Sequence, residues 1–293
     1  MYDYDSISEL CLAAEEKGLK ISELVLADQA EQLEAPAEEL YTRMERSLAV
    51  MEEAVKAGLD PNLRSTSGLT GGDAAKMWRY ASGGGLAGAL LNRAIARSLA
   101  VAEYNAAMGK IVAAPTAGSC GILPGTVASL LAEGLCTRRE AVMSLFTAGA
   151  FGMVIARKAS ISGAEGGCQA ECGSACAMAA AALAELRGGT PDMCAQAAAI
   201  AIKNQLGLVC DPVAGLVEIP CIKRNAAGTA LAFAAADMAL AGISSRIPAD
   251  ECIEAMREVG ESIPCSLRET AGGGLAATPT GRRLREQVYG PEK

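Results

Sequence analysis

The stretch EGGCQAECGSACAMAAAAL, residues 165–183, sets three cysteines at intervals of four inside a run of Gly and Ala. The Ala-rich stretch 169–187 reads as a helix packed through small side chains. Cys168, Cys172 and Cys176 then project from roughly one face, because residues four apart are neighbours on a helix. Eight residues of helix rise about 12 Å. Cys168 and Cys176 are therefore too far apart for one compact metal site, and at most two of the three can serve a single centre. The competing reading is packing, since a buried free cysteine behaves as a small hydrophobe.

The rest of the chain favours the same architecture. Of 293 residues, 51% are hydrophobic but only 3% aromatic. The interior must therefore be built from Ala, Leu, Ile, Val and Met, with 32 glycines allowing close approach of backbones. Eleven cysteines in a chain with this much core do not read as a disulfide scaffold. The acidic start, MYDYDSISELCLAAEEKG, lacks the basic and apolar regions of a signal peptide. Reduced thiols in a cytoplasm are expected. No apolar run reads as a membrane span, because ALAFAAADMALAGI (230–243) is interrupted by Asp237. Net charge is -8, yet residues 1–60 carry 15 acidic against 5 basic side chains, so the acidity is confined to the N-terminal segment. That balance argues against nucleic-acid binding and leaves the main body compatible with a small anionic substrate.

Helical periodicity runs through residues 5–57 in at least two pieces, with Leu24, Leu33, Leu40, Met44, Leu48, Met51 and Val55 spaced mostly at three, four or seven. GLDPNLRSTSGLTGGDA (58–74) is the clearest break, and a helix is expected to begin near Lys76, Met77 and Tyr80. Further helices are expected at 86–107, 125–134, 138–157, 192–206, 226–242 and 249–261. KIVAAP (110–115) and LVEIP (216–220) are the strand candidates. The expected fold is mainly α: an acidic helical extension, 1–60, on a compact helical domain, 61–293, in one continuous globular unit with Gly/Pro-rich loops and few short strands.

Two loops have the character of anion sites. APTAGSCGILPGTVASLL (114–131) puts small residues and hydroxyls before an apolar helix, with backbone N–H groups near Gly125 and Thr126. STSGLTGGDAAK (65–76) is similar. Neither matches a phosphate loop, so a carboxylate is a better ligand than a nucleotide. A helix cap and turn accounts for the same spacing. Cys210 and Cys221 bracket two prolines and a glycine in a second cysteine-bearing segment, 209–228, where a loop can aim thiols freely. The chain has no histidine, so a metal ligand set would be all thiolate or thiolate plus a non-protein ligand. That favours an iron-sulfur cluster or a Cys-only zinc site.

Five motifs together resemble the iron-sulfur-dependent L-serine dehydratases, in detail the alpha chain of their two-chain form. They are SGLTGGDA (67–74), APTAGSCGILPG (114–125), SISGAEGGCQAECGSACAMAAAAL (160–183), CDPVAGLVEIPCIKRN (210–225) and RETAGGGLA (268–276). The resemblance implies that Cys168, Cys210 and Cys221 are the three ligands of a [4Fe-4S] cluster whose fourth iron faces substrate. Cys172 and Cys176 then belong to the core, as do Cys11, Cys136, Cys194 and Cys252. It further implies elimination of water from L-serine, the open iron acting as a Lewis acid on the hydroxyl, with breakdown of the enamine to pyruvate and ammonium. Ser67, Thr70, Thr116 and Ser119 are the candidates for binding the substrate carboxylate. Single-chain relatives carry a cysteine shortly after the GGLA-like motif that can occupy the open iron; none follows here. The family's proposed histidine base lies in a companion beta chain, so a hetero-oligomer is implied, as a dimer of alpha-beta pairs, with Lys76 and Lys158 the fallback bases in this chain. Three rivals remain: an L-cysteine desulfidase on the same cluster, a pyridoxal-phosphate lyase using Lys158 or Lys203, and a non-enzymatic iron-sulfur protein.

Overall fold

Every residue from Ser174 to Glu185 is buried, and the Ala-rich run forms the central helix of the molecule. The computed structural model describes residues 4–291, in which thirteen α-helices and no strand are found. In chain order they are α1 (Ile7–Lys17), α2 (Ile21–Gln32), α3 (Ala37–Gly58), α4 (Asp73–Ala81), α5 (Gly88–Ala106), α6 (Ser129–Ala132), α7 (Arg138–Lys158), α8 (Gly163–Gly166), α9 (Ser174–Leu186), α10 (Pro191–Lys203), α11 (Cys221–Leu240), α12 (Ala249–Ser262) and α13 (Pro279–Tyr289). α9 is surrounded by α7, α10 and α11. Alanine on every face lets three neighbours approach at once, because no long side chain holds them off.

The N-terminal segment forms three helices. Ser6 caps α1 by accepting from the Glu9 N–H (3.0 Å), and Gly18 ends it in the left-handed region at φ 63. α1 packs on α10 and α12, α2 on α7, and α3 on α5 and α7. Ile7, Leu10, Leu24 and Leu48 are buried in the same apolar core as α9. The acidic side chains of these helices mostly face outward.

α7 opens with a capping box between Thr137 and Glu140. It is long and apolar enough to cross a membrane by length and composition, contrary to the sequence expectation, but 67% of that stretch is buried inside the molecule. A core helix meets the same test. Neither strand candidate forms: 110–115 and 216–220 are irregular, and each ends in a proline, Pro115 and Pro220, that has no N–H for a ladder. Cys210 and Arg268 form an isolated parallel bridge. α13 is a helix the periodicity does not show, because only Gly281 of it is buried. Its signal is Thr278-Pro279, an N-cap followed by proline at the first helical position.

Two short π-helical turns matter most for the site. Pro124–Ala128 leads into α6, and Gln169–Gly173 leads into α9. Each sits in a glycine-bearing motif, and such turns recur at functional sites.

Candidate active site

Cys168 is the residue before the second π turn, so the continuous helix expected over 169–187 is instead a π turn followed by α9. The turn is held by Gln169, which is fully buried. Its side-chain amide donates to the Met256 carbonyl (2.8 Å) and accepts from the Gly207 N–H (2.9 Å), and its own N–H donates to the Leu208 carbonyl (2.9 Å). Cys210 is fixed by the 265–275 loop: its N–H donates to the Leu267 carbonyl (2.8 Å) and its carbonyl accepts from the Glu269 N–H (2.7 Å). Cys221 is the first residue of α11.

All three thiols are buried, and they lie near enough to shift one another's ionisation. Burial pushes Cys210 well up, and the Cys168 charge adds to that. Burial pushes Cys221 up to about 12. Cys168 is held below the ordinary thiol range by its hydrogen bond with Cys172, Sγ to Sγ 3.4 Å, with a further contribution from the Arg224 guanidinium. Cys168 is thus the thiol most ready to exist as a thiolate, the form that binds metal. Cys176 is turned away, its thiol donating to the Gly228 carbonyl (3.2 Å). Cys11, Cys194 and Cys252 are buried, whereas Cys136 is only half-buried because it sits in the loop before α7.

Among the described residues no three His, Cys, Asp or Glu side chains stand close enough to grip a single metal ion. Three mutually sensitive buried thiols without a histidine fit a larger thiolate-bound cluster, whose ligands sit around several metal atoms.

The hydroxyls of the two glycine-rich loops are brought to carboxylates of the two cysteine-bearing segments. Ser67 Oγ donates to Glu218 Oε1 (2.8 Å) and Thr70 Oγ1 to Glu218 Oε2 (2.6 Å). Thr116 Oγ1 donates to Glu171 Oε1 (2.7 Å), with Ser119 Oγ 3.2 Å from Thr116 Oγ1. Glu218 is buried, three residues before Cys221; Glu171 is half-buried, three residues after Cys168. Burial raises the Glu171 pKa, against the Thr116 hydrogen bond and with the charge of Glu269. The expected anion site near Gly125 and Thr126 is closed. The Gly125 N–H donates to the Gly121 carbonyl (2.9 Å) inside the π turn, and the Thr126 hydroxyl is taken by the carbonyls of Ile122 (3.1 Å) and Leu123 (2.9 Å).

Asn225 ties the first loop to the cysteine helix. Its amide accepts from the Gly121 N–H (2.8 Å) and donates to the carbonyls of Gly118 (2.7 Å) and Cys221 (2.9 Å). Arg224, one residue earlier, donates to the Val209 carbonyl (2.7 Å) and to Asp211 (2.8 Å), whose other oxygen accepts from the Leu275 N–H (2.7 Å). The loops at 118–121, 209–211 and 275 are thus all referred to one turn of α11. The lysines are engaged elsewhere: Lys76 pairs with Asp73 (2.8 Å), Lys158 with Asp250 (3.7 Å), and Lys203 donates to the Ser245 carbonyl (2.6 Å). Glu171, Glu218, Arg224 and Asn225 were missed as site residues. The signal for Glu171 is its position, a single acid inside the Gly/Ala/Cys stretch.

The profile of a family described as serine dehydratase alpha chain matches residues 16–276. The chain is 53% identical over 288 residues to the "Probable L-serine dehydratase, alpha chain" of Bacillus subtilis (strain 168), covering 98% of this chain and 96% of that one. It is 44% identical over 278 residues to the "L-serine dehydratase, alpha chain" of Peptoniphilus asaccharolyticus, covering 94% and 95%. The match to "L-serine dehydratase 1" of Escherichia coli (strain K12) is 48% over 186 residues, but covers only 61% of this chain and 40% of that longer protein.

Proposed function

Because the chain belongs to the serine dehydratase alpha chain family, we propose that it eliminates water from L-serine, giving pyruvate and ammonium, with a [4Fe-4S] cluster held by Cys168, Cys210 and Cys221. The observation that carries the cluster is the gathering of three buried, mutually perturbing thiols, from segments far apart in sequence, in a chain without histidine. A bound cluster with one iron free of protein ligands supplies a Lewis acid for the substrate hydroxyl.

The chain's own residues do the rest of what this reading assigns to it. Cys168, already lowered in pKa, is the first thiol to release its proton, and Arg224 beside it offsets the negative charge that ligation concentrates there. Asn225 and Gln169 hold Cys221 and Cys168 in register, and their burial keeps water from those hydrogen bonds. Removal of the Cα proton calls for a base of suitable pKa, and both fallback lysines are drawn into ion pairs. We assign the base to a companion beta chain, consistent with the alpha-chain names of the two relatives matched over nearly their whole length and with a match that covers only 40% of a longer L-serine dehydratase. The active species is then a hetero-oligomer.

The experiment is anaerobic purification with the companion chain, followed by iron and sulfide analysis and a panel of L-serine, L-cysteine and L-threonine. The expected result is a brown protein that forms pyruvate from L-serine, loses activity in air and regains it with ferrous iron and a reductant. Full activity in air in the presence of a strong iron chelator is incompatible with the reading. Faster turnover of L-cysteine than of L-serine moves the substrate to the desulfidase alternative.

A further inference from the structure

Resting on the reading of this site as an L-serine-eliminating centre, we propose that Glu171 receives the α-ammonium group of the amino-acid substrate. The carboxyl group is half-buried and has one hydrogen-bond donor among the described residues, the Thr116 hydroxyl on Oε1. Among the described residues no lysine or arginine pairs with it, and no hydrogen bond to Oε2 is found. A carboxylate withdrawn from water without a cation is costly, so an incoming ammonium that supplies both charge and N–H donors is strongly favoured.

The surroundings define where that ammonium would sit. A Cβ placed on Gly163 would stand 2.7 Å from Glu171 Oε2 and 3.0 Å from Cys210 Sγ. One on Gly118 would stand 2.8 Å from Glu171 Oε1. The carboxyl and the Cys210 thiol thus pack close together against the backbone of Gly163, where no side chain could be accommodated. A group bound to Oε2 would lie near Cys210, one of the residues that would hold the cluster. L-serine carries its ammonium and hydroxyl on adjacent carbons, so holding the one at Oε2 keeps the other close by.

Charge selects the end of the substrate that points here. Glu269 and Cys168 add negative potential around Glu171 and Cys210, while Arg224 is committed to Asp211 and the Val209 carbonyl. A substrate carboxylate would be repelled and an ammonium attracted. Glu218 is not an alternative receptor: it is buried, and both its oxygens are occupied by Ser67 and Thr70. The Thr116 hydroxyl accordingly orients Glu171, a positioning role.

The test uses the complex with its companion chain, loaded anaerobically, as wild type, Glu171→Gln and Glu171→Asp. Three quantities are measured on each: iron content, KM and kcat for L-serine, and the inhibition constant of 3-hydroxypropanoate, which has the carboxylate and hydroxyl but no ammonium. Calorimetric binding of L-serine gives a readout independent of turnover. Glu171→Gln is expected to weaken L-serine about tenfold or more by both KM and calorimetry, the loss of one charged hydrogen bond. It should leave 3-hydroxypropanoate within about threefold of wild type, because the two changes act on the same contact. Glu171→Asp, which keeps the charge, should fall between.

Equal weakening of both ligands, a fall in kcat with KM unchanged, or loss of iron from Glu171→Gln would each overturn the assignment, pointing to a structural, proton-transferring or cluster-holding role. Failure of the wild-type complex to turn over L-serine would instead overturn the proposed function, and the assignment with it.

Discussion

At Cys172 the same atom type as in Cys168 faces a different fate for a local reason. Its thiol is fully enclosed and pushed well above the ordinary range by its hydrogen bond to Cys168 and by burial, whereas Cys168 is held below that range. Serine in place of Cys168, Cys210 or Cys221 is therefore expected to abolish iron retention, checked by iron and sulfide content after anaerobic reconstitution. Cys172→Ala should retain iron and lose about 1–3 kcal/mol of unfolding free energy, the range for a small cavity in a packed core. An iron-free Cys172→Ala protein beside an iron-loaded Cys168→Ser protein would reverse the ligand assignment. Three widely separated thiols as a candidate set were legible in the sequence. That the loop hydroxyls would meet Glu171 and Glu218 was not, because a hydrogen bond between residues 55 or 151 positions apart leaves no local trace.

Among the elements, the join between the Gly118–Gly121 loop, α5 and α11 depends on backbone proximity. A Cβ on Gly121 would lie 2.4 Å from the Ser98 carbonyl oxygen and 3.1 Å from Asn225 Oδ1, so Gly121→Ala must push the loop off α5 or disturb the Asn225 clamp. Overpacking of this kind costs about 1–3 kcal/mol, measurable as a lower urea midpoint with an unchanged slope. Gly149, inside α7, has nothing within 4 Å of its Cβ position. Gly149→Ala should stabilise by up to about 1 kcal/mol through helix propensity. If the two substitutions prove equal, the close approach at Gly121 is not what holds the loop. Helix periodicity located the long helices to within a few residues, yet it missed both π turns, since a single widened turn changes the spacing of too few side chains to register.

At the scale of the whole molecule, α1, α2, α3, α7 and α9 share one apolar core, so the acidic N-terminal helices and the cysteine-bearing centre are expected to unfold together. The site itself is one-sided in its chemistry. Apart from Arg224, which is committed to Asp211 and the Val209 carbonyl, it offers thiols, carboxyls and hydroxyls, while both lysines considered as bases are ion-paired. The isolated chain, loaded with iron, is accordingly expected to bind L-serine and to form pyruvate at least about a hundredfold more slowly than the complex with its companion chain, the scale of a missing general base. Pyruvate formation in a titration of one chain with the other checks this. Equal rates with and without the companion chain would return the base to this chain, and Lys76 and Lys158 would be the first substitutions to make.

By itself, the sequence determined a mainly helical chain with an alanine-rich central helix, a set of cysteines without any histidine and two hydroxyl-bearing loops, because residue type and spacing of three and four act within a helical turn. Only the tertiary structure decided which groups meet. It set Cys168 against Cys172 and Arg224, closed the backbone site at Gly125, and turned Thr116 and Ser67 toward internal carboxylates. Those outcomes depend on where α9 and α11 cross the loops between other helices, and that crossing is fixed by close packing at Gly121, Gly125 and Gly228, whose Cβ positions lie within 3 Å of neighbouring atoms.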